Sequence, residues 1–217
     1  MSTALDVALA EDAPRSNARR VLRRFASSPA ALVGAFFVAL FVILALLAPW
    51  LSPYEPTKPN FLAVRKPPSD LFWFGTDDLG RDVLTRLLHG ARASLMAGVV
   101  SVTIAFAVGV PVGMLSGYLG RWIDSTIMRV VDALLAVPFL IFAIALAAFL
   151  GPSLTNAMIA IGISTSPIFA RLARGQTLVV KVEEYVEAAR AIGAPHWLIL
   201  VRHIFPNILP QIGRAHV

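Results

Sequence analysis

The stretch ALLAVPFLIFAIALAAFLGPSLTNAMIAIGISTSPIFA, residues 133–170, holds no charged side chain between Asp132 and Arg171. As one helix, at roughly 1.5 Å per residue, it would run for about 57 Å, whereas the hydrocarbon core of a bilayer is about 30 Å thick. That is too long for a single crossing. Gly151-Pro152-Ser153, near the middle, supplies a turn, and the stretch divides into two spans, about 127–150 and 154–171.

Working outward, the same pattern recurs. No charge lies between Arg24 and Glu55, where residues 30–48 are nearly all apolar, and none lies between Arg92 and Arg121. Four crossings are therefore expected. The composition agrees: 57% of residues are apolar and 15% charged, with a mean hydropathy of +0.73, against about 45–50% and about 25% in a soluble domain. Such a chain cannot cover its apolar surface as a soluble globule, and a disordered chain would be far more polar. The apolar runs are continuous rather than alternating in segments of about ten residues, which excludes a barrel. The expected class is an all-α, polytopic helical membrane protein. The net charge of +6 reads as lysine and arginine gathered on the cytoplasmic side rather than as a nucleic-acid surface. With no cysteine in the chain, disulfides and thiolate metal sites are excluded.

The flanking charges set an expected orientation. Arg15, Arg19, Arg20, Arg23 and Arg24 precede the first span, which makes 1–29 a cytoplasmic N-terminal segment, 30–50 the first membrane span, an uncleaved anchor, and 51–91 a periplasmic segment. The short turn at 151–153 lies outside, and Arg171, Arg174 and Lys181 return to the cytoplasm. The periplasmic segment fits the charge rule less well, because it carries five basic and five acidic residues.

Within the second span, Ala93, Ala97, Ser101, Ala105, Gly109, Gly113 and Gly117 recur every fourth residue, and all are small. Residues at i and i+4 share a helical ridge, and a ridge of small side chains lets a neighbouring helix backbone come close. Gly109, Gly113 and Gly117 are the expected helix-packing residues. Pro111, Pro138 and Pro167 fall inside spans, where each removes a backbone hydrogen bond and kinks the helix. Asp132 is the one acid placed to enter the membrane, and Arg129 one turn earlier makes it an interfacial residue. No catalytic site is expected: G-x-x-x-x-G-K-[ST], G-x-S-x-G and H-E-x-x-H are all missing. The four histidines stand without a carboxylate at ligand spacing, so no metal or cofactor is expected.

After the fourth span comes KVEEYVEAARAIGAPHWLILVRHIFPN, residues 181–207. Val182, Tyr185, Val186, Ala189 and Ile192 fall on one face of an amphipathic helix of about three turns, with Glu183, Glu184, Glu187 and Arg190 on the other. Gly193 suits the left-handed C-terminal cap, and Pro195 the first turn of a second helix that carries Trp197, Leu198, Val201 and Phe205 on one side. Pro206 is expected to end it. This pair of short helices is either an interfacial hairpin or a docking element for a soluble partner.

Glu187-Ala188-Ala189, then three residues, Gly193, and a proline about a dozen further on resemble the EAA loop of the membrane subunits of binding-protein-dependent ABC importers. Phe74-Gly75-Thr76-Asp77-Asp78-Leu79-Gly80-Arg81-Asp82-Val83 is similar to the segment before the second span in the dipeptide/oligopeptide/nickel permeases. Arg129-Val130-Val131-Asp132 with Pro138-Phe139-Leu140, and Ala170-Arg171-Leu172-Ala173-Arg174-Gly175, fit the same family. The resemblance implies the transmembrane domain of a type I ABC importer, with a permease core over 92–210 and the EAA coupling loop at 181–207. It implies a sister permease, two cytoplasmic ATP-binding subunits, a periplasmic or lipid-anchored solute-binding protein and the lipid bilayer as partners, and the bacterial inner membrane as location. ATP would be bound by the partners, so the chain itself would be no enzyme. Glu187, Ala188, Ala189 and Gly193 would seat the loop in a cleft of the ATPase, the small residues by allowing close approach and Glu187 by a charge-assisted hydrogen bond.

Permeases of this group typically have six spans, so about four of six are expected here. Residues 211–217, Gln-Ile-Gly-Arg-Ala-His-Val, carry charge where a further span would begin. The codons CAG ATC GGA AGA GCA CAC GTC, a sequencing-library adapter, would encode them, so the natural sequence is expected to depart near Pro210. The orientation is checked by reporter fusions: a reporter active only in the periplasm should be active when fused near Thr57 and silent when fused after Lys181. The opposite pattern would reverse the assignment.

Overall fold

The computed structural model describes residues 25–214, without the side chain of Arg214, and every regular element in that range is helical apart from one isolated bridge. The arginine-rich stretch up to Arg24 and the last three residues lie outside the described residues. The chain divides into two compact units, 1–95 and 96–217.

Helix α1 (Pro29–Leu51) starts where Ser28 accepts the Ala31 N–H at 3.4 Å, and Pro29 occupies the first turn, where its missing N–H leaves nothing unpaired. Its large apolar side chains, Phe36 and Phe37 among them, are exposed. Helix α2 (Val83–Leu119) begins nearly three turns, at about 3.6 residues each, before the charge-free gap, because Asp82 caps it: Oδ2 accepts the Thr85 N–H at 2.7 Å. Both helices are long and apolar enough to cross a membrane.

The remaining spans differ from expectation. Instead of one helix over 127–150, α3 (Arg121–Ala136) and α4 (Phe139–Leu150) meet at 94°. Pro138 forces its predecessor out of the helical region, and Val137 is extended at ψ 130°, so this proline breaks the helix where a kink was expected. The bent pair makes a third crossing if it counts as one span. Helix α5 (Leu154–Val180) has 27 residues, enough for about 40 Å, yet it does not qualify by apolarity. It carries Thr155, Asn156, Ser164, Thr165 and Ser166. The physical reason is its position: Ala160, Ser164, Ser166, Ala170, Ala173 and Thr177 are all buried, and a helix packed among helices needs less apolar surface than one facing lipid.

After α5 come α6 (Glu184–Ala191), the single turn α7 (His196–Leu198), a π-helical stretch Ile199–Ile204 and α8 (Phe205–Arg214). Pro206 therefore does not end the second loop helix. The π-helical stretch precedes it, with the Phe205 N–H bonded five residues back to the Leu200 carbonyl, and the proline sits in the first turn of α8, where no N–H is required.

In the first unit, the segment between α1 and α2 is built around Asp77. Its carboxylate accepts the backbone N–H groups of Leu79 and Arg81, both at 2.9 Å, and pairs with the guanidinium groups of Arg81 and Arg86. Arg65 pairs with Asp78 at 2.6 Å. Three of the five basic residues that strained the charge rule are thus matched by local acids. Burial works to raise the Asp77 pKa, but the side-chain and backbone hydrogen bonds from Arg81 and Leu79 outweigh it and hold the carboxyl well below the ordinary carboxylate range. A depressed folded value gives stability that is complete above the unfolded pKa of about 4 and is lost progressively as pH falls from there through the lower folded value. Asp77→Ala should therefore loosen the segment at neutral pH, with faster tryptic cleavage after Arg65. Wild-type protein should keep its protection from neutral pH down to about pH 5 and lose it progressively below about pH 4, read by hydrogen exchange.

Candidate functional site

The second unit is organised by the contact of α2 with α5. Ser101, Ala105, Gly109, Gly113 and Gly117 are buried, while Ala93 and Ala97 at the start of the ridge are half-buried. A Cβ added at Gly113 would lie 2.9 Å from the Ala170 carbonyl carbon and 2.9 Å from Ala173 Cβ, and closer still to the Ala170 oxygen. The same addition at Gly109 would meet Phe169 Cβ at 2.7 Å, and at Gly117 the Arg174 oxygen at 2.9 Å. Ser101 Oγ donates to the Met158 carbonyl at 2.9 Å. The three glycines thus face a helix of the same chain, so their bulk would first disturb the chain's own fold rather than its pairing with a sister subunit.

The far ends of these helices are tied by charge. Asp124, in the first turn of α3, accepts Arg174 Nε at 2.5 Å and Nη2 at 2.6 Å, a bidentate pair across α3 and α5, and also accepts Ser116 Oγ of α2 at 2.5 Å. Lys181 Nζ donates to the Gly117 carbonyl at 2.7 Å, one of the last carbonyls of α2. Asp132 pairs with Arg171 at 2.5 Å rather than with Arg129, and both side chains are more than half exposed. The Asp124–Arg174 pair escaped the sequence reading because its partners stand 50 residues apart. Its one local signal is an acid in the first turn of the helix that Gly120 starts.

The loop after α5 shares the core of this unit: Val186 and Ala189 of α6 and Ile199, Ile204, Ile208 and Ile212 join Met114 and Tyr118 of α2 and Phe169 and Ala173 of α5. Helix α6 is two turns long, not three, and only Val186 and Ala189 of its expected apolar face are buried; Val182, Tyr185 and Ile192 are exposed. Ala189 accordingly points into the chain's own core, where its small size serves packing. Glu187 and Ala188 are exposed beside it. Gly193 has φ +80° and closes a Schellman cap: its N–H bonds to the Arg190 carbonyl at 2.9 Å, and the Ala194 N–H to the Ala189 carbonyl at 3.0 Å. A side chain there would meet open space, so the requirement is conformational rather than steric.

The second helix presents a different face from the one expected. Trp197 and Val201 are exposed at 65% and 60%, whereas Ile199 and Ile204, five residues apart, are fully buried, followed at intervals of four by Ile208 and Ile212. The π-helical stretch shifts the buried stripe by one residue, which a strict 3.6-residue period cannot show. Ile192, 85% exposed, and Trp197 leave large apolar groups on the outside of the loop, where Glu187 is also exposed. Among the described residues no cluster could hold a metal ion.

These features define a helical membrane protein whose closely packed helices carry a capped, outward-facing loop helix at one end. Residues 109–214 match the binding-protein-dependent transport system inner membrane component, and residues 16–68 match the N-terminal TM domain of oligopeptide transport permease C. The chain belongs to this family of transport-system inner-membrane components. It is 42% identical over 198 residues to an Escherichia coli protein named "Probable D,D-dipeptide transport system permease protein", covering 91% of this chain and 66% of that one. It is 43% identical over 196 residues to a dipeptide transport system permease protein of Alkalihalophilus pseudofirmus, covering 89% and 64%. It is 40% identical over 195 residues to a glutathione transport system permease protein of Pectobacterium atrosepticum, covering 89% and 65%. The chain thus spans slightly less than two thirds of the length of each.

The ridge yields a test with an internal control. Gly113→Ala should cost about 1–3 kcal/mol by overpacking α2 against α5, lowering the thermal midpoint of the detergent-purified protein. Gly175→Ala, in the same bundle but with open space around its Cβ, should leave the midpoint unchanged or slightly raised.

Proposed function

We propose that this chain is a permease subunit of an ATP-driven importer in a bacterial inner membrane, forming half of the path for small peptides or similar solutes. The dipeptide and glutathione names of its relatives support a short-amide solute. The observation that carries the proposal is the loop: an exposed carboxylate at Glu187 on α6, whose inner face is fused to the core of the α2–α5 bundle, followed by exposed apolar groups at Ile192 just after that helix and at Trp197 in α7. Such a surface suits a cytoplasmic ATP-binding partner, and two of these, a sister permease and an external solute-binding protein complete the assembly. Ala188 lies on the outer surface with Glu187, and Gly193 sets the angle of the helix. Closure of the ATP-binding subunits pulls on α6, and the shared core passes the displacement to α2 and α5, which opens the path to alternate sides. The chain's own role is to hold and move; hydrolysis belongs to its partners.

The test uses the full-length natural protein. Glu187→Ala removes a carboxylate without opening a cavity, and Gly193→Val strains a left-handed cap by about 1–2 kcal/mol. Both variants should insert and pair with the sister permease, yet lose the ATP-binding subunits on purification and lose ATP-driven uptake. Full retention of both properties in either variant would remove that residue's role. Failure of both to accumulate in the membrane would favour a merely packed interfacial hairpin.

A further inference from the structure

Tyr118 lies one residue before the end of α2, in the core of the second unit, and is only 8% exposed. Its hydroxyl lies 2.8 Å from His196 Nδ1, the first residue of α7, and the two rings meet edge-on with centroids 5.5 Å apart. The Arg190 guanidinium, in the last turn of α6, sits 5.0 Å from the centre of the tyrosine ring. One side chain at the end of a long apolar helix therefore holds both arms of the loop, on either side of the cap at Gly193. A tyrosine hydroxyl so buried needs a hydrogen-bond partner, and a guanidinium over a ring face adds attraction without a fixed direction. Together these allow the arms to tilt while staying attached.

We propose that Tyr118 is a positioning residue for coupling: it ties the two arms of the loop to the end of α2, so that displacement of the loop is delivered to that helix. This rests on the importer function proposed above. Tyr118→Phe keeps the ring and its contact with Arg190 but deletes the hydroxyl. His196→Ala removes the acceptor from an exposed position, and His196→Asn restores one near Nδ1. One neutral hydrogen bond corresponds to about 1 kcal/mol, or roughly fivefold in an equilibrium.

The full-length transporter, reconstituted with its ATP-binding subunits in liposomes, should show uptake per ATP hydrolysed reduced about fivefold by Tyr118→Phe and by His196→Ala. The double variant should be no worse than either single one, and His196→Asn should recover most of the loss. Hydrogen exchange on the purified protein reads the tie directly: amides of 184–204 should exchange about fivefold faster in Tyr118→Phe, with those of 101–113 unchanged. Wild-type uptake per ATP in both single variants would overturn the coupling role, as would unchanged exchange in the loop. If wild-type protein shows no ATP-dependent uptake, the importer function fails instead, and the exchange measurement still decides whether Tyr118 holds the loop. A Tyr118→Phe variant that fails to fold leaves His196→Ala and His196→Asn to decide.

Discussion

Close approach between the backbones of α2 and α5 is the constraint on which the rest of the second unit depends. A bilayer offers no hydrophobic drive for two apolar helices to meet, so their association relies on contact area and on backbone proximity. Gly109, Gly113 and Gly117 remove the side chains that would hold the helices apart, and the carbonyls of Ser166, Ala170 and Arg174 come into the space. Once that register is fixed, Arg174 lies within reach of Asp124, Lys181 reaches the Gly117 carbonyl, and Tyr118 is placed under the loop. The polar ties at the ends of the helices follow from an apolar contact along their length.

Much of this was legible in the residues, for reasons that differ from place to place. The ridge on α2 announced itself because a period of four is a purely local pattern, and Gly193 because a helix end that needs a left-handed residue has few choices. The first span was legible as an apolar run without charges. Where the sequence misled, a non-local or irregular feature had taken over. Pro138 was visible, but a right-angle break rather than a kink depends on what surrounds α3 and α4. The π-helical stretch adds one residue to a turn and so rotates the buried stripe from Trp197 and Val201 to Ile199 and Ile204. Ala189 read as one surface with Glu187 and Ala188, its neighbours in sequence, yet a helix turns by about 100° per residue and this position faces inward while the other two are exposed. Asp124 and Arg174 carry no shared pattern at all.

Helix α5 illustrates a general trade in membrane bundles. Its serines and threonines weaken it as a span judged by composition, yet its burial makes those same small polar residues suitable for packing. Ser166 Oγ donates to the Ile163 carbonyl at 2.8 Å and Thr165 Oγ1 to the Ile161 carbonyl at 2.8 Å, so these two hydroxyls are satisfied within the helix itself beside Pro167, whereas the buried hydroxyls of Ser164 and Thr177 have no hydrogen-bond partner among the described residues. Hydropathy registers exposure to lipid; it says little about a helix whose neighbours are other helices.

The turn from Phe74 to Val83 was first recognised as a family signature, and its geometry says what kind of signature it is. Asp77 accepts from two amides and two arginines at once, Asp78 holds Arg65, and Asp82 starts the next helix. Asp77 cannot change alone without stranding two amides and two arginines at once. Such a block is inherited whole or dismantled whole. Mutual dependence of that kind marks kinship, and a string of residues can identify a lineage without itself choosing what the lineage transports.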